Sequence, residues 1–309
     1  MNFQAWLKEF RVLFLIFVAL PVVLGSAVAY AYEPQSFSLP YCVLAVIAMM
    51  SLHAGTVILN DYFDFRSGTD VLNKERTPYS GGSGLLPEGT LSPAGVLIAG
   101  LLSFGLSALL GTFIVLTRSP IVLVIGVIGA AIGFFYTAPP FKLAYRGFGE
   151  TARLFATPLM VLGAFVVQVP PASMADMSSY VGPLTVVLVS SLPVAFLNTA
   201  ALYIFQFPDY EADSAVGKTN LVVRLGRKNA VYVFILLSAL AYIVLLAGIV
   251  SGLLPFFSAI AFVALPLSAF ACKGLLVYFD LPKKLVPYMK SASDAYILAT
   301  IALTLAFFI

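Results

Sequence analysis

Two acidic groups carry the chemistry this chain can do. The first is Asn60-Asp61-Tyr62-Phe63-Asp64, which closes a run, 40–59, that holds no Asp, Glu, Lys or Arg. The second is Gln206-Phe207-Pro208-Asp209-Tyr210-Glu211-Ala212-Asp213, which closes another apolar run. Asp61 and Asp64 are spaced i,i+3 and Asp209 and Asp213 i,i+4, so each pair shares one helical face. Traced backwards, one stripe holds His53, Thr56, Asn60 and Asp64, and the other holds Asn198, Leu202, Gln206, Asp209 and Asp213. Both groups are read at helix C-termini, where each carboxylate is unfavourable by ~0.3–1 kcal/mol. Four acids so placed demand a cation. Oxygen-only donors, with no His–Cys set, point to Mg²⁺. Two facing pairs fit two ions clamping one diphosphate. The competing reading of either pair alone is a solvated loop or a helix cap.

The elements that position these groups are membrane helices. The 309 residues are 61% apolar and 10% charged, against roughly 45–50% and about 25% in soluble domains. At ~20 apolar residues per crossing, nine spans are expected, at about 12–32, 40–59, 93–116, 119–138, 151–170, 182–205, 229–251, 254–278 and 291–309. They form one transmembrane domain over 1–309, an all-α bundle. Glycines in the runs, from Gly105 to Gly111 and from Gly126 to Gly133, suit close helix packing. Cys42 and Cys272 lie inside apolar runs and read as packing residues.

Basic residues alternate between the connections. Lys8, Arg11, Arg66, Lys74, Arg76, Lys142, Arg146, Lys218 and Arg224 fall on one side, and only Arg118 on the other. The positive-inside rule then places the N-terminus and both acidic groups at the cytoplasmic face, with Lys8 and Arg11 leading a signal anchor. The long, charged connections at about 60–92, 139–150 and 206–228 are the functional ones. Lys142, Arg146 and Lys218 either bind phosphate oxygens or mark topology and lipid head groups. His53 either orients an acceptor hydroxyl and takes its proton or bonds a neighbouring helix. Asn198 is open in the same way between substrate contact and helix glue.

The paired motifs Asn60-Asp61-x-x-Asp64 and Asp209-x-x-x-Asp213, with Gly217–Gly226 (GKTNLVVRLG) behind them, resemble the UbiA-type intramembrane prenyltransferases. The resemblance implies two Mg²⁺ ions on Asp61, Asp64, Asp209 and Asp213, an isoprenyl diphosphate bound to them, and a central cavity open sideways to membrane lipid. The stretches Ser80-Gly81-Gly82-Ser83-Gly84, Gly89-Thr90-Leu91-Ser92 and 136–150 are similar to the 1,4-dihydroxy-2-naphthoate prenyltransferases of menaquinone synthesis. The family's third acid of the first motif falls on Gly68 here, and the next acid is Asp70. Where many naphthoate enzymes read Asn-Asn-x-Arg-Asp, this chain reads Phe205-Gln206-Phe207-Pro208-Asp209.

The expected reaction is transfer of a polyprenyl group to an electron-rich aromatic acceptor. Tyr136 faces the allylic cation, and Asn60, Lys142, Arg146, Gln206, Asn198, His53, Lys218 and Asp70 surround the substrates. The same chemistry on 4-hydroxybenzoate, a tocopherol precursor or a glycerol-phosphate lipid is the alternative. A cation-coupled transporter is a remote one, because the charged groups gather at one surface and not at the midplane. No nucleic-acid partner is expected.

Overall fold

The computed structural model describes residues 3–170 and 181–309, and these are helical with no strand among them. In chain order the α-helices are α1 (Phe3–Glu9), α2 (Ile16–Tyr32), α3 (Leu39–Ser67), α4 (Thr69–Leu72), α5 (Pro93–Thr117) and α6 (Ile121–Phe134). They continue with α7 (Gly149–Gln168), α8 (Val181–Tyr203), α9 (Gln206–Ala215), α10 (Leu221–Val250), α11 (Leu265–Tyr278) and α12 (Pro282–Leu305). Seven helical stretches are long and apolar enough to cross a membrane; α6, at 14 residues, is shorter, and α12 is not one of the seven. Most of the outer connection expected at 169–181 lies outside the described residues.

Two helix ends differ from the sequence expectation in ways that matter for the site. The second run does not stop at residue 59: α3 continues for two more turns to Ser67, so Asp61 and Asp64 are helical. It stops at Gly68, whose φ of 88° is the left-handed C-terminal turn glycine adopts at least cost. The sixth run breaks instead of continuing through the second motif. Pro208 has no N–H to offer the Ile204 carbonyl, and its ring clashes there, so α8 ends at Tyr203 and α9 restarts at Gln206. Asp209 therefore stands in the first turn of a helix, where the dipole favours a carboxylate. The expectation that all four acids sit at unfavourable C-termini holds for the α3 pair and is corrected for Asp209.

The eighth run is likewise divided. A 3₁₀ segment, Phe256–Ala264, precedes α11, and Pro266 falls in the first turn of α11, where a missing N–H costs nothing. Helix α12 is a core element: Tyr296 is fully buried and its hydroxyl donates to the Phe17 carbonyl at 2.7 Å.

Helix α3 packs most extensively against α5, α2 against α7, and α8 against α7 and α10. Glycine permits the tightest of these approaches. A Cβ on Gly25 would lie 2.2 Å from the Val161 carbonyl oxygen, and one on Gly100 2.7 Å from the Leu59 side chain. The glycines at 105, 111, 126 and 129 behave otherwise. Nothing lies within 4 Å of a Cβ built on any of them, and all four line a cavity. They make room for something other than a neighbouring helix.

Candidate active site

That cavity has a volume of about 730 Å³ and lies between α2, α3, α5, α6, α7 and α8. One part of its wall is apolar, with Val22, Ala45, Ile114, Val122 and Val167. The other is polar, with Arg11, Asp64, Asp70, Asp209, Asp213 and Lys218. His53, Asn60, Tyr136, Asn198 and Gln206 also line it. Lys142 and Arg146 do not: Lys142 lies over the Tyr145 ring at 5.4 Å, and Arg146 is exposed.

The two acidic groups, some 145 positions apart, do meet. Lys218 Nζ sits 3.0 Å from Asp64 Oδ2 and 3.3 Å from Asp213 Oδ1. Asp64 also accepts from Asn60 Nδ2 at 3.0 Å, the i,i+4 partner on its own helix, and from the Tyr145 hydroxyl at 2.5 Å. Asp213 accepts from Asn220 Nδ2 at 2.7 Å, while the Asn220 oxygen caps α10 through the Val223 N–H. Lys218 is delivered by the turn that ends α9: its N–H donates to the Asp213 carbonyl at 2.9 Å.

Tyr145 belongs to the 139–150 connection. That connection is locked to the 217–220 turn by the Thr219 N–H and hydroxyl, both donating to the Tyr145 carbonyl.

The glycine-rich stretch completes the site. Asp209 accepts from Asn73 Nδ2 at 2.7 Å and from the Gly81 N–H at 3.2 Å. Gly81 and Gly82 both have positive φ, and a Cβ on Gly82 would fall 2.5 Å from an Asp70 carboxyl oxygen. Only glycine lets the backbone come this close to the acids.

Asp61 lies behind this layer. It does not line the cavity; it is buried, paired with Arg11, and accepts from the Ser83 N–H at 2.7 Å. Arg11 reaches it from a left-handed turn, φ 46°, after α1; Ala5 and Trp6 of that helix, with Phe10 just beyond it, pack on Ile58, Leu85 and Leu86.

Burial, with Asp64 and Asp61 nearby, pushes the Asp70 carboxyl up to about 9. Burial raises Asp213 to about 7 and Asp209 to about 6, although Lys218 pulls both the other way. Burial works against the Lys218 ammonium, yet Asp213 and Asp64 outweigh it and hold its pKa well above the ordinary value. The cluster is therefore a site for concentrated positive charge, and Lys218 stands where a cation is wanted.

Its donors fit a hard ion, being carboxylate and carboxamide oxygens with no thiolate or imidazole among them. Among the described residues no three His, Cys, Asp or Glu side chains gather closely enough to hold one ion. Mg²⁺ needs only one or two carboxylates, with waters and substrate phosphates filling the rest. The pair Asp64 and Asp213 meets that requirement.

Several of these partners escape sequence reasoning. Arg11, read as a topology marker, pairs with an acid of the first motif. Asn73, Tyr145 and Asn220 bond the acids from connections whose path the motifs do not reveal. Arg153, three residues into the 151–170 run, also lines the cavity.

An apolar chamber inside a helical membrane bundle, floored by acids that call for cations, marks an integral membrane enzyme. The chain belongs to the UbiA prenyltransferase family, whose model matches residues 18–293, and it is a transferase of prenyl groups. It is similar to the 1,4-dihydroxy-2-naphthoate octaprenyltransferase of Bacillus subtilis, 27% identical over 89% of this chain and 82% of that one. It is also similar to the 2-carboxy-1,4-naphthoquinone phytyltransferase of Synechocystis, 26% identical over 91% and 85%. Among solved structures, a UbiA homologue from Archaeoglobus fulgidus bound to GPP and Mg²⁺ shares the fold, with a TM-score of 0.55 at 18% identity over 97% of this chain and 99% of that one.

Proposed function

We propose that this enzyme transfers a polyprenyl group from an isoprenyl diphosphate to 1,4-dihydroxy-2-naphthoate, at a site facing the cytoplasm of the cell membrane, as a step of menaquinone synthesis. The observation that carries the reading is one cavity with an acid- and base-lined floor beneath apolar walls, sized at about 730 Å³. The naphthoate relatives supply the acceptor. All nine apolar runs cross the bilayer in this reading, with the N-terminus cytoplasmic.

Asp64 and Asp213 would hold one Mg²⁺, and Asp209, beside Asn73 and Gly81, would hold a second. Asp61 supports the second from behind, holding the Ser83 N–H of the same glycine-rich stretch whose Gly81 N–H bonds Asp209. Bound there, the ions supply positive charge to the leaving diphosphate.

Lys218 moves from the carboxylates to the phosphate oxygens when the substrate enters, as a mobile point charge. Asn60 keeps Asp64 oriented, and Gln206 and Asp70 close the polar wall. Lys142 and Arg146 act on the approaching diphosphate only from outside the cavity. The allylic C–O bond breaks with its electron pair leaving on the diphosphate. The electron-rich ring carbon that bears the carboxylate then forms the new C–C bond, and that carboxylate departs as CO₂, its bonding pair restoring the aromatic ring. His53 lies on the cavity wall of α3 and orients the acceptor hydroxyl.

Product mass spectrometry with one isoprenyl diphosphate, Mg²⁺ and a panel of aromatic acceptors tests the reading. The prenylated dihydroxynaphthalene, a demethylmenaquinol-type product, is expected from dihydroxynaphthoate. Prenylation of 4-hydroxybenzoate or a glycerol-phosphate lipid alone would replace the acceptor. Saturable uptake without any covalent product would replace the reaction.

The chamber glycines give a second expected outcome. In Gly126→Phe the new ring enters open space in the cavity. Transfer from a long isoprenyl diphosphate is expected to fall at least about tenfold, the range set by filling an apolar pocket, while transfer from geranyl diphosphate persists. Equal loss with both donors would show that the glycine serves packing and not the tail.

A further inference from the structure

Among the described residues, Arg153 is the cavity-lining base that the reaction described above does not use. It sits on α7 one turn past Gly149. Its Nε donates to the Tyr136 hydroxyl at 3.0 Å, and its guanidinium lies over the Tyr136 ring with Cζ 5.1 Å from the centroid. Its Nη1 is buried and has no hydrogen-bond partner. Among the described residues no carboxylate pairs with it. Among the described residues Asp64, Asp209 and Asp213 are bonded by Lys218, Asn60, Tyr145, Asn73, Gly81 and Asn220, and Arg153 is not one of their partners. It is thus set apart from the diphosphate floor. A buried guanidinium donor left unpaired is costly, and the cost falls when an anion enters.

A second unpaired atom lies on the same wall. Thr157, one turn further along α7, accepts from Asn198 Nδ2 at 3.2 Å. Asn198 Oδ1 is buried and has no partner, and both residues line the cavity. The wall therefore presents an unmet cationic donor and an unmet neutral acceptor. One helical turn, ~5.4 Å, separates Arg153 from Thr157, which anchors the Asn198 amide. The complement is a small molecule with a carboxylate and a hydroxyl on one rigid ring. Charge gives an independent reason. An uncompensated cation beside the ring of Tyr136 opposes formation of an allylic cation in the same chamber. A carboxylate on Arg153 removes that penalty, so the acceptor's own charge prepares the site for ionisation of the donor.

We propose that Arg153, braced by Tyr136, reads the carboxylate of the acceptor, and that Asn198 Oδ1 accepts its ring hydroxyl. The enzyme thereby selects hydroxy-aromatic acids over uncharged phenols. The proposal rests on the aromatic-acceptor reading given above. Tyr136 then acts as a positioning residue with one face already covered by the guanidinium.

The test measures equilibrium binding of 1-hydroxy-2-naphthoate and 1-naphthol to the full chain in detergent, as wild type, Arg153→Gln and Arg153→Lys. Losing a charged hydrogen bond should weaken 1-hydroxy-2-naphthoate by about tenfold to a hundredfold in Arg153→Gln, with 1-naphthol unchanged and Arg153→Lys in between. In steady-state transfer the same loss appears in KM for the acceptor more than in kcat. Equal weakening of both probes would overturn the proposal, leaving Arg153 as a brace for Tyr136; so would no weakening of either. Should Arg153→Gln fail to fold, the ratio of the two affinities in Arg153→Lys decides by the same criterion. The two readings separate cleanly. Carboxylate-selective binding without prenylation of any aromatic acid refutes the function and keeps the subsite. Prenylation of dihydroxynaphthoate at unchanged acceptor KM in the variants keeps the function and refutes the subsite.

Discussion

Replacing Asp64 or Asp213 by asparagine is expected to cut prenyl transfer by about a hundredfold to a thousandfold, the range for removing one preorganised electrostatic group. Asparagine preserves the shape and still accepts the bonds that Asn60 and Asn220 donate. The fold should therefore survive while one negative charge is lost from the pair that faces Lys218. Initial rates across a Mg²⁺ titration separate two contributions. If these carboxylates hold the ion, half-maximal activity moves to higher Mg²⁺ and the plateau falls as well. Asp294→Asn is the control, since its ion pair with Lys290 is exposed and neither residue lines the cavity. Full activity at ordinary Mg²⁺ in either site variant would remove the metal assignment.

Lys218→Met should show its largest effect without substrate. The side chain is mostly buried and offsets two buried carboxylates at once. Breaking a buried pair from one side costs about 3–5 kcal/mol, because the remaining charge is left uncompensated. Without Mg²⁺ the thermal midpoint is expected to fall by several degrees. Added Mg²⁺ then binds Asp64 and Asp213 with no ammonium to displace, so the variant should gain more thermal stability from the ion than wild type does. An equal or smaller gain in the variant would mean that Lys218 does not occupy the cation position. Transfer itself should stay low, because the diphosphate loses its mobile counter-charge.

The membrane class was legible from composition, since a chain so apolar has no soluble way to bury its side chains. The acidic pairs were legible because i,i+3 and i,i+4 spacing is a local property of a helix and survives whatever the rest of the chain does. The prenyltransferase reading came from the resemblance of the paired motifs to a family, and the family match bears it out. The break before α9 was present in the sequence as Pro208, and it reverses the dipole argument for Asp209. The chamber glycines read as packing residues because composition does not say which side of a helix faces a void.

Other features were decided only by packing across long stretches of chain. Arg11 meets Asp61, Asn73 meets Asp209, and Lys218 meets Asp64 because α1, the glycine-rich stretch and the turn after α9 converge on the end of α3. Asp61 withdraws behind the cavity wall, and Arg153 enters the cavity beside Tyr136, for the same reason. Sequence by itself determined which residues could bind a cation and that a membrane would surround them, because residue type and helical period are local. Tertiary structure alone decided which acid faces which base, and which bases remain unpaired, because those choices depend on helix faces that meet only when the bundle closes.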